Sequence, residues 1–206
     1  MDLGAGSAGF WLEARNREWS VIGLEQSSES VEIARRTGIE LIQADLVSPE
    51  AIELIAKADN VLLNHVFEHV QDPVSFLQTF ASSMKPGSRF ILLIPNANSI
   101  WRFVFGRSWY GWDPPVHVHL YSSAALRKIL ACCGFSALDL CSIRRNESLS
   151  TALNQIWFKV GPLRFLLRFL MIPVMLLFSY AGIGPELPCV AEIVPNPSSK
   201  KVADAP

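Results

Sequence analysis

Apolar and polar residues alternate along the first two thirds of the chain in two distinct rhythms, and their order predicts the architecture. Short continuous aliphatic runs at residues 21–24, 39–42, 61–63 and 90–94 have the length and composition of strands buried on both faces. Between them, residues 8–19, 28–36, 49–57 and 73–84 carry helical spacing and sit where crossover helices join parallel strands. A further helix is predicted over 122–132, stopped by Gly134. Strands are predicted over 135–143 and 189–194. The pattern is that of an α/β fold with helices covering both faces of a sheet.

Two stretches break this rhythm. Residues 97–121 crowd aromatic side chains together, Trp101, Phe103, Phe105, Trp109, Tyr110 and Trp112, ahead of Pro114 and Pro115. They are expected to form a cap loop in which Trp109, Tyr110 and Trp112 bind the substrate, because aromatic side chains shape water-shedding pockets; ordinary core packing is the competing reading. Residues 147–186 are expected to be a hydrophobic helical insertion. Its apolar centre, 163–183, is interrupted by Arg168 and Pro173 and preceded by Arg164, which argues for peripheral contact with a membrane surface rather than a span. Burial against another part of the protein is the alternative. The polar tail 195–206 is expected to be disordered, which leaves one domain over 1–194.

Composition narrows the function classes. The chain has 206 residues, 50% of them hydrophobic, enough to bury the core of one such domain. Its 18 basic and 19 acidic residues give a net charge of -1, so the positive footprint of a nucleic-acid binder is missing. Cys132, Cys133, Cys141 and Cys189 show no C-x-x-C spacing and are expected to be reduced packing residues of a cytoplasmic protein.

The chemistry begins at Asp2-Leu3-Gly4-Ala5-Gly6-Ser7-Ala8-Gly9, a glycine-rich turn that lets backbone approach a ligand closely. Glu25 closes the next strand, where a carboxylate can accept both hydroxyl hydrogens of a ribose. Gly4-x-Gly6-x-x-Gly9 also satisfies the dinucleotide fingerprint, so an NAD-dependent oxidoreductase stays open as an alternative.

In the order Asp2 to Ser7, Val21 to Glu25, Ile42-Gln43-Ala44-Asp45-Leu46, and Asp59 through His65-x-x-Glu68-His69 to Pro95-Asn96, the chain resembles the class I S-adenosylmethionine-dependent methyltransferases. The likeness is to the broad subgroup that includes quinone-pathway, sugar and antibiotic enzymes. It runs on through Pro115 to Ser122 and reaches about residue 145. The resemblance implies a Rossmann-like, three-layer α/β/α fold with a seven-stranded, mostly parallel sheet, in which 189–194 is the one antiparallel strand. It implies S-adenosyl-L-methionine as cofactor, with Asp2, Gly4, Ala5 and Gly6 around its methionine part, Glu25 on ribose and Asp45 on adenine. Gln26, Leu46 and Asn64 complete that set.

The implied activity is methyl transfer to a small-molecule or lipid-like acceptor, with a degenerate cofactor-binding fragment as the non-enzymatic alternative. Two departures stand out. Ala8 occupies the place of the family's third loop glycine, where Gly9 is expected to ease the turn, and the first strand is short enough to suggest a chain lacking its natural beginning.

Methyl transfer needs alignment, exclusion of water and, for a hydroxyl acceptor, a base. Histidines titrate nearest neutral pH, which makes His117 the preferred base, followed by His119 and His65. His69, with Glu68, is expected to bond backbone in the turn after the fourth strand. His65-x-x-Glu68-His69 matches a zinc-peptidase pattern, yet it follows a strand instead of lying on a long helix. Some related methyltransferases bind a divalent cation through E-x-x-E-H here. His65 replaces the first acid and disfavours magnesium, so no metal is expected.

Overall fold

The computed structural model describes residues 1–6, 8–140 and 183–194. Seven strands alternate with helices: β1 (Asp2–Leu3), α1 (Gly9–Asn16), β2 (Gly23–Glu25), α2 (Ser28–Arg36), β3 (Ile42–Gln43), α3 (Pro49–Ile55), β4 (Asn60–Asn64), α4 (Pro73–Ser83), β5 (Arg89–Pro95), α5 (Trp101–Phe105), α6 (Ser123–Cys132), β6 (Phe135–Leu140) and β7 (Glu186–Ile193). Helix starts follow local chemistry. Side chains of Ser27, Ser48, Asp72 and Ser122 each accept an amide of the first turn, and Pro49 and Pro73 stand where a missing N–H costs nothing.

The strands form one sheet in the order β3-β2-β1-β4-β5-β7-β6. β7 runs antiparallel to both β5 and β6, and the pairings β1–β2, β1–β4, β2–β3 and β4–β5 are parallel. This is the expected seven-stranded sheet with one reversed strand. β1 is only two residues long yet central, pairing Leu3 with Leu24 on one side and Leu63 on the other.

Leu3, Leu24, Val61, Leu63, Phe90, Leu92 and Ile94 are buried in a single core. Through it runs a train of rings, from Phe67 to Phe76 (6.2 Å), Phe80 (4.3 Å), Phe90 (5.7 Å) and Phe135 (5.1 Å). Phe67 also stacks on Tyr121 at 5.1 Å, which ties the segment after β4 to the end of the aromatic loop. That loop is closed at its base, where Ala97 N–H donates to Tyr121 O at 2.9 Å beside the Asn96–Tyr121 bridge. It contains α5 and a second small core in which Trp101 and Trp109 are buried.

Most of the hydrophobic insertion and the whole tail lie outside the described residues. Among the described residues, no helix is long and apolar enough to cross a membrane.

Candidate functional site

The carboxyl ends of four adjacent strands bring the expected cofactor residues together. Asp2 lies in β1, Glu25 ends β2, Asp45 follows β3 and Asn64 ends β4. The glycine turn after β1 is pinned to β2, because the amides of Gly4 and Ala5 both donate to Leu24 O, at 2.8 and 3.0 Å. Glu25 completes the anchorage: Gly6 N–H donates to Oε2 and Ser27 N–H to Oε1, both at 2.8 Å. Each of these oxygens keeps a lone pair for a further donor, so the carboxylate is oriented without being saturated. Gln26 Nε2 donates to Asp45 Oδ2 at 2.8 Å, Val47 N–H donates to Oδ1 at 2.9 Å, and Leu46 lies buried beside them.

Two details of the turn carry strain or electrostatic cost. Ala8 adopts φ +61° while fully buried, the left-handed conformation that favours glycine. Gly9 already lies in α1 with no positive φ, so the turn is completed at Ala8 and not eased by Gly9 as expected. Asp2 is 3% exposed, and burial pushes its carboxyl up to about 6, with the N-terminal ammonium opposing and Glu25 reinforcing the shift. Ser7 lies outside the described residues.

A second cluster forms where the turn after β4 meets the returning aromatic loop. The amides of Val118 and His119 both donate to Glu68 O, at 2.9 and 3.1 Å, which docks the loop onto that turn. His117 directs Nδ1 at Gly111 O (2.9 Å), and its Nε2 stands 4.0 Å from Glu68 Oε1. His69 directs Nδ1 at Val116 O (2.9 Å), the backbone contact expected of it, and its ring lies 4.9 Å from that of His117. His119 is half-buried and turned away, Nε2 facing Gln71 O at 3.3 Å.

His65 has a different part from the base suggested by sequence. Its backbone is left-handed at φ +55°, and its ring reaches Glu68 Oε1 with Nδ1 (3.1 Å) and Glu186 Oε1 with Nε2 (3.4 Å). Burial lowers its pKa, but the hydrogen bonds and charges of Glu186 and Glu68 outweigh that and raise it to about 9. His65 is therefore an imidazolium at neutral pH, with no lone pair for a proton.

The aromatic residues divide. Trp109 is 1% exposed and packs against Tyr110 and Trp112, and a Cβ on Gly111 would run into its ring, so it supports the loop from within. Tyr110 donates to Pro185 O at 3.1 Å. Trp112 is 39% exposed and donates Nε1–H to Gly106 O. Of the three, Trp112 presents the most surface.

Sequence reasoning missed Glu186, which lies far along the chain from His65 and reaches the site because β7 pairs it with Pro95. It also missed the buried Tyr121 hydroxyl, which has no hydrogen-bond partner. The H-x-x-E-H spacing singles out Glu68 between His65 and His69, but it does not show that Glu68 is fully buried or that His117 comes beside it.

Sheet order and strand ends define the chain as a Rossmann-like methyltransferase fold. A family described as a methyltransferase domain matches residues 1–140, and the chain belongs to it. Among curated proteins it is similar to a ubiquinone biosynthesis O-methyltransferase of Pectobacterium carotovorum, 32% identical over 105 residues, 48% of this chain and 44% of that protein. The match thus spans less than half the length of that relative.

Two solved structures share the fold. A chain of the Haloferax volcanii complex between the Trm112 methyltransferase activator and a methyltransferase has TM-score 0.64 at 20% identity, covering 94% of this chain and 81% of that one. Magnesium protoporphyrin IX methyltransferase from Synechocystis with bound S-adenosylhomocysteine has TM-score 0.58 at 16% identity, covering 93% and 72%.

Proposed function

We propose that this protein transfers the methyl group of S-adenosylmethionine to a hydroxyl of a small-molecule or lipid-like acceptor. The observation that carries this reading is Glu25, whose two oxygens are fixed by Gly6 and Ser27 amides at the mouth of the glycine turn. A carboxylate so held meets a ribose diol without reorganisation. Gly4, Ala5 and Gly6 would line the methionine end, where Asp2 can accept from its ammonium. Asp45, Gln26 and Leu46 would enclose the adenine, and Asn64 would close the cradle from β4.

The relatives' O-methylation supports a hydroxyl acceptor. In-line attack forms the acceptor O–CH3 bond as the S–CH3 bond breaks, S-adenosylhomocysteine leaves, and the hydroxyl proton must go to a base. His117 fits that task. Its Nδ1 faces a carbonyl, which only accepts, so Nδ1 carries the hydrogen and Nε2 keeps the lone pair. Trp112 would contact the acceptor. His119 remains the second base candidate.

Titration of the purified chain with S-adenosylhomocysteine tests the cofactor assignment, and failure to bind would sink it. Acceptor-dependent transfer of a labelled methyl group then separates an enzyme from a binding fragment. Residues 163–183 add a peripheral membrane contact to this proposal on sequence grounds alone. Sedimentation with anionic vesicles, released by salt or mild detergent and lost on deleting 163–182, is the expected result. A chain that never sediments with vesicles would remove that part.

A further inference from the structure

Segment 183–186, which leads into β7, is bonded at every residue to the elements around the aromatic loop. Ile183 O accepts from the N–H of Ile100, just before α5, at 3.0 Å, and Gly184 O from Asn96 Nδ2 at 2.9 Å. Pro185 O accepts from both the Asn96 N–H (2.9 Å) and the Tyr110 hydroxyl (3.1 Å). Glu186 closes the series: its Oε1 stands 3.4 Å from His65 Nε2, while His65 Nδ1 meets Glu68 Oε1 at 3.1 Å. One imidazole thus spans two buried carboxylates, Glu68 on the turn after β4 and Glu186 at the start of β7.

The groups around the ring decide what the pair does. Glu68 and Glu186 are both acids, Tyr110 of the loop lies within electrostatic reach of both, and His117 Nε2 is 4.0 Å from Glu68 Oε1. Without the charge on His65, two buried carboxylates share one site with no cation between them, a costly arrangement. Relief is uneven. Glu68 is fully buried and its carbonyl is pinned by the Val118 and His119 amides, so Glu186 is the acid left to turn out to water, drawing Pro185 away from Tyr110. Tyr110 bears edge-on against Trp109, and Trp109 against Trp112, which carries that movement into the loop. We propose that His65 and Glu186 are positioning residues of the acceptor site: joined, they lock segment 183–186 to Tyr110 and hold the aromatic loop in the shape that receives the acceptor. They act through Pro185 and Tyr110 and touch no reacting atom. The cofactor side lies outside this lock, since Glu25 is fixed by the Gly6 and Ser27 amides. The positioning role rests on the methyl-transfer reading, whereas the lock is a property of the fold alone.

The full chain is compared with His65→Gln, Glu186→Gln and the double variant, each checked for folding by circular dichroism. Amide hydrogen exchange, acrylamide quenching of tryptophan and methyl transfer to catechol are the three measurements. At pH 7 each single variant should speed exchange at Asn96 and Ile100 about tenfold, with Gly6 and Ser27 unchanged, and the double variant should add nothing further. Each should raise the KM for catechol about tenfold while changing kcat at most about twofold, the split expected of a positioning role. In the unsubstituted chain quenching should rise as pH passes about 9, where His65 loses its proton; in His65→Gln it should be high and flat. Unchanged exchange at Asn96 and Ile100, an unmoved KM, effects that multiply in the double variant, or a rise near pH 9 that persists in His65→Gln would overturn the proposal. A misfolded His65→Gln leaves Glu186→Gln to decide. No transfer to catechol by the unsubstituted chain would count against the acceptor reading, and exchange and quenching would still decide the lock.

Discussion

Gly4 lies directly under Val66: a Cβ built on Gly4 would stand 2.5 Å from Val66 Cγ2, and Gly4 itself is at φ +70°. The glycine turn and the segment after β4 are thus in contact through the absence of a side chain. Gly4→Ala adds left-handed strain of about 1–2 kcal/mol to an overpacking cost of about 1–3 kcal/mol. Urea unfolding should show a lower midpoint for Gly4→Ala. Adding Val66→Ala should recover part of it; a double variant no better than the single would show that the contact is not the cause.

For cofactor affinity, Glu25→Ala should weaken S-adenosylmethionine binding by about 1.5–3 kcal/mol, since the proposed charged hydrogen bonds to ribose would be lost and the Gly6 amide is released. Asp45→Ala should cost less, because in the proposed site adenine is also held by apolar contact. Calorimetry that ranks Asp45 above Glu25 would reverse the assignment of the two acids.

Asp2 predicts a conflict between stability and binding. Its carboxyl is raised to about 6 in the folded chain, so the fold holds the proton more tightly than the unfolded chain does and stability falls as pH rises from about 4 to about 6. Asp2→Asn should therefore stabilise the protein at pH 7, by up to about 3 kcal/mol, but not at pH 4. It should also weaken the cofactor. Identical unfolding midpoints at the two pH values, relative to the parent, would contradict the shift.

His65 carries the opposite sign. Its pKa is raised to about 9, so its ion pairs with Glu68 and Glu186 stabilise the fold fully below about 6.5 and lose that contribution as pH rises through about 9. Unfolding followed from pH 6 to pH 10 should show a decline that His65→Gln removes. The same decline in the variant would place its source elsewhere.

His117→Ala should lower turnover of a hydroxyl acceptor at least tenfold while leaving S-adenosylhomocysteine affinity nearly unchanged, because the proposed base acts on the acceptor proton and not on the nucleotide. Comparable losses in both would make His117 a structural residue of the loop.

Much of this arrangement was legible in the sequence because it is local. α2 occupies the expected 28–36, and β4 and β5 extend their expected runs by a residue or two. The run 39–42 was misleading: Ile39 is the apolar contact that follows the helix stop at Gly38, packed on Ala8 and Ala34, and β3 starts only at Ile42. The positions of Asp2, Glu25, Asp45 and Asn64 at or just after strand ends were readable for the same reason, since the pattern marks those ends. The acid–imidazole cluster was readable in Glu68 and its histidines, but not in Glu186. Glu186 and Pro185 arrive through tertiary pairing of β7, and no spacing along the chain announces a partner so far away.

The insertion of β7 between β5 and β6 sets a schedule for synthesis. The cradle is present in the chain by Asn64, but the acceptor side waits for residues 185 and 186, which hold Tyr110 and His65. A nascent chain halted before that point has the residues of the proposed cofactor cradle but lacks the Tyr110–Pro185 and His65–Glu186 contacts, while the facing edges of β5 and β6 stay open to pairing with other chains. Stalled translation products should therefore be clients for chaperones, with the proposed methyl transfer deferred until β7 is in place.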